Sequence, residues 1–185
     1  MDQRAVYRPR LLPDRALPAY AYLPGKFPHP VRDPQGHSYI AGGLGVCVEP
    51  APSAEDFAWG VDLFNHGYYW EAHEAWEPLW KASTRGSTRR ALLKGLILLS
   101  AAGVKLREAK HPAAARHGKR AAMLLRLAAA SDQDRDLDLG MSPARLASYV
   151  EDATAADRPS ATSDQGRPEA VFQFVLCEHS GPATR

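Results

Sequence analysis

The sequence has little net charge and no long apolar run. A formal net charge of +2 over 185 residues nominates neither nucleic acid nor an anionic membrane as a partner. The longest apolar run, Leu96–Val104, contains a serine and a glycine and is about half of the roughly 20 residues that a membrane-spanning helix needs. We therefore expect no nucleic-acid partner and no membrane span, and we expect this run to form a buried helix.

Cysteine is also scarce, and the N-terminus lacks the apolar stretch of a secretory signal. The two cysteines are Cys47 and Cys177. The first twenty residues, MDQRAVYRPRLLPDRALPAY, are charged and interrupted by proline. Both observations favour a reducing, cytoplasmic location.

Apolar residues are plentiful enough for one globular domain, at 45% of the chain. Proline is concentrated at one end, because nine of the fifteen lie within the first 52 residues. Each proline fixes φ and removes a backbone donor, so residues 1–52 are predicted to form an extended arm. Recurring aromatic residues favour packing of this arm on the body. His29 and His37 in the arm are candidates to close over a site, although arm histidines are more often surface residues.

From residue 53 onward the signals are helical. Ser53 is suited to cap a helix that Gly67 ends, and Ser142 and Pro143 mark another helix start. The predicted helices span about 54–66, 68–82, 88–109 and 112–130, and a fifth begins near Pro143. The third helix is apolar nearly all round, which is typical of a central element. Residues 53–156 are therefore predicted to form an all-α antiparallel bundle of about five helices.

The fourth predicted helix is rich in alanine and in basic residues. Met123, Leu124 and Leu127 are predicted to face inward, with the basic side chains in solvent. The basic run RHGKR, Arg116–Arg120, has no interleaved aromatic residues, which favours a solvated helix face over a nucleic-acid site.

After the helices, residues 157–185 are predicted to be a polar linker followed by a short strand. The strand is the segment AVFQFVLCEH, residues 170–179, and a lone strand needs a partner. Residues Leu44–Val48 are the best partner within the chain. The alternative partner is the same strand of a second subunit, which would make the protein a homodimer.

The second predicted helix contains the segment YYWEAHEAWEPLW, residues 68–80. At 100° per residue its apolar side chains share one wide arc, with Ala72 near the centre. His73 and Glu77 lie at one edge of this arc, and Glu71 and Glu74 lie on the more polar side. A site would therefore use either His73 with Glu77 towards a neighbouring helix, or Glu71 with Glu74 towards a groove. Pro78 is expected to kink the helix.

The sequence HEAWE differs by one letter from the zinc-protease pattern H-E-x-x-H. His73 and Glu77 are therefore candidate ligands of a divalent metal, the candidate cofactor, with Glu74 as a general base. Two ligands do not hold a catalytic zinc, and the other histidines supply no obvious third. In the structural alternative, a partly buried His73 is held by Glu77 and packed among tryptophans.

The stretches FNHGYYWEAHEAWEPLW, residues 64–80, and LLKGLILLSAAGVKLRE, residues 92–108, resemble the bacterial and archaeal domain-of-unknown-function family 309. Its members carry an E-x-H-E-x-x-E-x-x-W motif followed by a G-L-I helix. The resemblance covers about residues 55–150 and implies packed helices without an established activity. The matching positions are Asn65, Gly67, Glu71, His73, Glu74, Glu77, Trp80 and Gly95. Many members have glutamine where this chain has Leu98, so any role of that amide is absent here.

Two functional hypotheses remain open. The first is a ligand- or partner-binding module, for a small molecule or a protein, whose groove has the arm above it. The second is a small enzyme, an acid–base or metal-assisted hydrolase, that uses His73, Glu74 and Glu77. The candidate binding residues are Asn65, Tyr69, Glu71, Trp76, Trp80 and Lys105.

Overall fold

The computed structural model describes residues 6–41, 52–130, 137–155 and 167–177. Five α-helices lie within these ranges, and their bounds are close to the predicted ones. They are α1 (Ala54–Asn65), α2 (Tyr69–Ala82), α3 (Thr88–Arg107), α4 (His111–Ala129) and α5 (Pro143–Thr154). The prediction of an all-α helical bundle is confirmed.

Local sequence explains where the helices begin. The Ser53 hydroxyl accepts a hydrogen bond from the Asp56 amide, and the Asp56 carboxylate accepts one from the Ser53 amide, which forms a capping box for α1. Ser87 and Ser142 cap α3 and α5 in the same way through one hydrogen bond each. Between α1 and α2 the chain turns at Gly67, whose φ of 86° lies in the region that favours glycine. α2 continues as a single helix through Pro78, and the expected kink stays a prediction.

The core lies along α3, which packs against both α2 and α4. Leu93, Leu96 and Leu99 are fully buried there, as the apolar run predicted. Close packing also depends on Gly60 of α1, because a Cβ atom at this position would lie only 2.1 Å from Nε1 of Trp76. No helix in the described ranges is long and apolar enough to span a membrane.

The predicted inward face of α4 is wrong for Met123 and Leu127, which are 63% and 62% exposed. Leu124 is partly buried and packs against the core. The buried face consists of small residues and one leucine: Ala114, Gly118, Ala121, Ala122, Leu125 and Ala128. Small side chains let α4 approach its neighbours closely, and a Cβ atom at Gly118 would lie 2.1 Å from the Thr154 hydroxyl of α5. Steric fit therefore decides the face of α4, and not the larger hydrophobicity of leucine and methionine.

The predicted C-terminal strand is also not seen, because residues 167–177 contain neither a strand nor a helix. Much of their backbone hydrogen bonding is to side chains of α1 and α2. The Asn65 side-chain amide both accepts from the Leu176 amide and donates to the Leu176 carbonyl, each at 2.9 Å. The Val171 amide donates to the Tyr69 hydroxyl at 2.8 Å. Residues 44–48 lie outside the described ranges, and the homodimer stays a prediction.

The N-terminal arm lies on α1 and α2 without forming a helix or strand in residues 6–41. Its main anchor is the buried Asp62 carboxylate of α1. This carboxylate accepts hydrogen bonds from Arg10 Nε at 2.9 Å and from the Leu11 and Leu12 amides at 2.7 and 2.9 Å. The body therefore supplies an acceptor for arm donors that have no partner of their own in secondary structure.

Candidate functional site

The centre of the α2 motif is part of the core. Tyr69 and Trp76 are 1% and 0% exposed, and Asn65 is 1% exposed. Their polar atoms bond to the protein itself: Trp76 Nε1 donates to the Phe57 carbonyl at 3.2 Å, while Tyr69 and Asn65 hold the C-terminal segment. The assignment of these three residues to ligand binding stays a prediction, and the contacts observed for them are structural.

Trp80 and Lys105 lie partly exposed in different surroundings. The Arg90 guanidinium and the Lys94 ammonium lie 4.4 and 4.3 Å from the centre of the Trp80 ring. Lys105 forms an ion pair with Glu108, one turn further along the chain. Cations therefore already occupy the neighbourhood of Trp80, and Lys105 is held at the end of α3.

Glu71 lies on the same side of α2 as Glu74, as the helical spacing predicted, and it faces the N-terminal arm. It is only 6% exposed because the arm covers it. Its Oε1 accepts from the Tyr22 amide at 2.8 Å and lies 3.1 Å from His37 Nε2, which donates to it. Its other oxygen, Oε2, is buried and has no hydrogen-bond partner among the described residues. A buried acceptor without a partner costs about 1–3 kcal/mol, so this oxygen is a candidate contact for a ligand.

Aromatic rings of the arm surround this carboxylate. The Tyr20 ring packs edge-on to His37 with 4.7 Å between ring centres. Tyr22 and His29 pack on Trp70 of α2 at 5.1 and 5.4 Å. His29 and His37 thus lie over α2, in the place where the sequence made them candidates.

A cleft of about 970 Å³ opens between the arm, α1 and α2, and we call it the arm cleft. Two tryptophans, Trp59 of α1 and Trp70 of α2, line it together with Glu71 and Glu74. The predicted groove also had the arm above it and included Glu71, but its tryptophans were Trp76 and Trp80, not Trp59 and Trp70. Trp70 lies about 160° around the helix from Ala72, the centre of the apolar arc, whereas the groove was expected among the residues of that arc.

His73, Glu74 and Glu77 come together on the neighbouring face of α2. One potential ligand atom from each residue lies within 4.8 Å of the other two. His73 is partly buried, as the structural alternative expected, but it has no hydrogen bond to Glu77 or to any other described residue. Glu77 instead pairs with Lys81 at 3.2 Å, and Glu74 is exposed.

Burial changes the protonation of this cluster. Burial lowers the pKa of His73, and the nearby Glu77 carboxylate opposes part of that change. Burial raises the pKa of Glu74, and repulsion from Glu77 adds to this effect. His73 is therefore neutral at pH 7, with a ring nitrogen that has a free lone pair.

A known family model matches the part of the chain that contains the α2 motif. The family model described as "Domain of unknown function (DUF309)" matches residues 57–117. The match covers 61 of the 185 residues, about a third of the chain. The predicted resemblance is thus confirmed, and the match runs from α1 into α4 and includes both the arm-cleft residues of α2 and the His73 cluster. No curated protein and no solved structure matches the chain. The description of this family states no function.

Proposed function

We propose that this protein is a binding module that holds a small organic cation with an apolar part in the arm cleft. The observation that carries this proposal is the buried Oε2 of Glu71, which has no partner in the described chain although Glu71 lines the cleft. A ligand that donates an N–H to this oxygen would supply the missing hydrogen bond. The indole rings of Trp59 and Trp70 would contact its apolar part.

The charges around the arm cleft favour a cation over an anion. Glu74 lines the cleft and has neither a hydrogen bond nor an ion pair with any described residue. Lys81 also lines it but pairs with Glu77. The Arg15 guanidinium lies 4.1 Å from the centre of the Trp59 ring. This contact supports the proposal because the face of the Trp59 ring already holds a cation. A cationic ligand would take the place of Arg15 on that ring.

The enzyme hypothesis draws less support from the same geometry. His73 and Glu77 are absent from the described residues that line the arm cleft, so a ligand in the cleft would contact only one member of the predicted catalytic set, Glu74. A binding module needs no such group. The arm cleft therefore favours binding over acid–base hydrolysis.

The test compares three probes of similar shape: benzylammonium, benzyl alcohol and benzoate. Of the three probes, we expect only benzylammonium to bind, with a Kd on the order of 1 mM. Ligands of this size gain a binding free energy of only about a few tenths of a kcal/mol per non-hydrogen atom, or slightly more. The measurement is the change in the indole N–H signals of Trp59 and Trp70 in an NMR titration.

The variant Glu74→Gln removes one cleft charge without touching the hydrogen bonds of Glu71, and it should weaken binding several-fold. Glu55→Gln, at an exposed position of α1 outside the cleft lining, is the matched control and should bind as the natural protein does. Equal binding of benzyl alcohol, or equal affinity in the Glu74→Gln protein, would overturn the proposal.

A further inference from the structure

We propose that His73, Glu74 and Glu77 bind a divalent transition-metal ion on the face of α2 beside the arm cleft. The three side chains come from positions i, i+1 and i+4 of one helix, and their potential ligand atoms lie within 4.8 Å of one another. A shared ion holds its nitrogen and oxygen ligands at about 2.0–2.2 Å, which places these atoms about 3–4 Å from each other. Rotation about side-chain torsions of half-buried and exposed residues covers the remaining difference.

The bonding of the cluster supports the same conclusion. His73 is half-buried and Glu74 is exposed, and neither has a hydrogen bond with a described residue. The only ion pair of the cluster in the described chain joins Glu77 to Lys81, whose side chain is 64% exposed. Two carboxylates and an imidazole therefore converge, and the lysine that is ion-paired with them in the described chain is solvent-exposed. A divalent cation would compensate the repulsion between the two carboxylates directly.

The chemistry of the ligand atoms selects the class of ion. Imidazole nitrogen favours Zn²⁺, Fe²⁺, Ni²⁺ and Cu²⁺ over Mg²⁺ and Ca²⁺, which prefer sites made of oxygen atoms only. One imidazole and two carboxylates suit Zn²⁺, and three protein ligands leave a coordination position for water or for a ligand. We therefore take Zn²⁺ as the ion to test, with Mg²⁺ as the comparison ion.

The metal proposal does not depend on the proposed function in the arm cleft. The two proposals share only Glu74, which lines the cleft and belongs to the cluster. His73 serves the metal site alone. A variant at His73 therefore tests the metal without changing a residue that lines the cleft.

The experiment uses the full chain without a histidine tag, after treatment with a chelator. Isothermal titration with Zn²⁺ at pH 7 should show one ion per chain, and Mg²⁺ should bind at least tenfold more weakly. His73→Gln and Glu77→Gln should each weaken Zn²⁺ binding at least tenfold. Circular dichroism confirms that each variant is folded, and both residues lie outside the fully buried core.

The matched control is His66→Gln, because His66 lies on the neighbouring turn and its Nδ1 already bonds to the Asp62 carbonyl at 2.8 Å. This variant should bind Zn²⁺ like the natural protein. The proposal is overturned if no Zn²⁺ binds, if both His73→Gln and Glu77→Gln bind it unchanged, or if His66→Gln loses it to the same extent. Unchanged benzylammonium binding in the His73→Gln protein separates a failure of the metal site from a failure of the arm cleft.

Discussion

The N-terminal arm covers the polar side of α2 that carries Glu71, and it does not cover the side that carries His73 and Glu77. On the covered side, Glu71 is buried and bonded to Tyr22 and His37 of the arm. On the uncovered side, His73 has no hydrogen bond with a described residue, and among the described residues Glu77 forms an ion pair only with the exposed Lys81. Residues of the same types, within one short motif, thus attach the arm on one side and have no hydrogen bond to it on the other.

The difference teaches that the chemistry of this motif depends on residues far away in the sequence. His37 lies 34 positions before Glu71, and Asp62 holds the arm to α1 through three more hydrogen bonds. The following predictions weaken or isolate one side of the comparison at a time.

The largest effect is expected from loss of the arm anchor. Asp62→Ala should lower the free energy of unfolding by about 3 kcal/mol, because Arg10 and the Leu11 and Leu12 amides lose their acceptor. Urea denaturation provides the measurement. Asp152→Ala, at an exposed position of α5, is the control and should change stability by less than about 0.5 kcal/mol. A loss below about 1 kcal/mol in Asp62→Ala would mean that the arm is not anchored there.

A smaller effect is expected from Glu71→Ala, which removes the acceptor of Tyr22 and His37. We expect a loss of about 1–3 kcal/mol and faster tryptic cleavage after Lys26 and Arg32, because the middle of the arm is released.

Glu74→Ala is the matched control for this experiment, because Glu74 lies on the same helix but bonds to no described residue. It should leave the cleavage rate unchanged. Equal cleavage in both variants would show that Glu71 does not hold the arm and would remove the contrast between the two sides.

The smallest effect concerns the pH dependence of the uncovered side. Burial lowers the pKa of His73 in the folded protein below its unfolded value of about 6.5. The stability that the neutral ring supports is therefore present above pH 6.5 and is lost as the pH falls through the unfolded pKa towards the lower folded pKa. His73→Gln should show a smaller loss of stability between pH 7.5 and pH 5 than the natural protein, by less than about 1 kcal/mol.

Urea midpoints at both pH values give this comparison, and the other titrating groups cancel in the difference between the two proteins. An identical loss in both proteins would contradict the burial of His73. The difference between the two proteins therefore reports how strongly burial disfavours the protonated form of His73.

The sequence predicts the helices well because their signals are local. Capping serines, the apolar run of α3 and the position of Gly67 each act within a few residues of the structure they determine. The centre of the α2 arc was predicted for the same reason, since Ala72 and Trp76 are fully buried. Helix periodicity is a property of one segment and needs no knowledge of its neighbours.

The errors arise where a partner decides the outcome. Alanine and glycine form the inner face of α4 only because Leu125 fits against Gly95 of α3 and Gly118 fits against Thr154 of α5. Alternating apolar residues in the C-terminal segment predict a strand, but the side chains of Asn65 and Tyr69 provide hydrogen bonds that a strand partner would otherwise supply. The burial of Glu71 likewise depends on contacts with the arm, and the sequence of α2 alone does not indicate it.

The contact between Gly60 and Trp76 has a consequence for how relatives of this chain diverge. Since a Cβ atom at residue 60 would lie 2.1 Å from the indole nitrogen, position 60 cannot gain a side chain while Trp76 stays in place. A relative with alanine or a larger residue at position 60 needs a smaller ring at position 76, or a wider separation of α1 and α2. The two positions should therefore covary, and this pair offers a way to align distant homologues where the surrounding residues have lost their similarity.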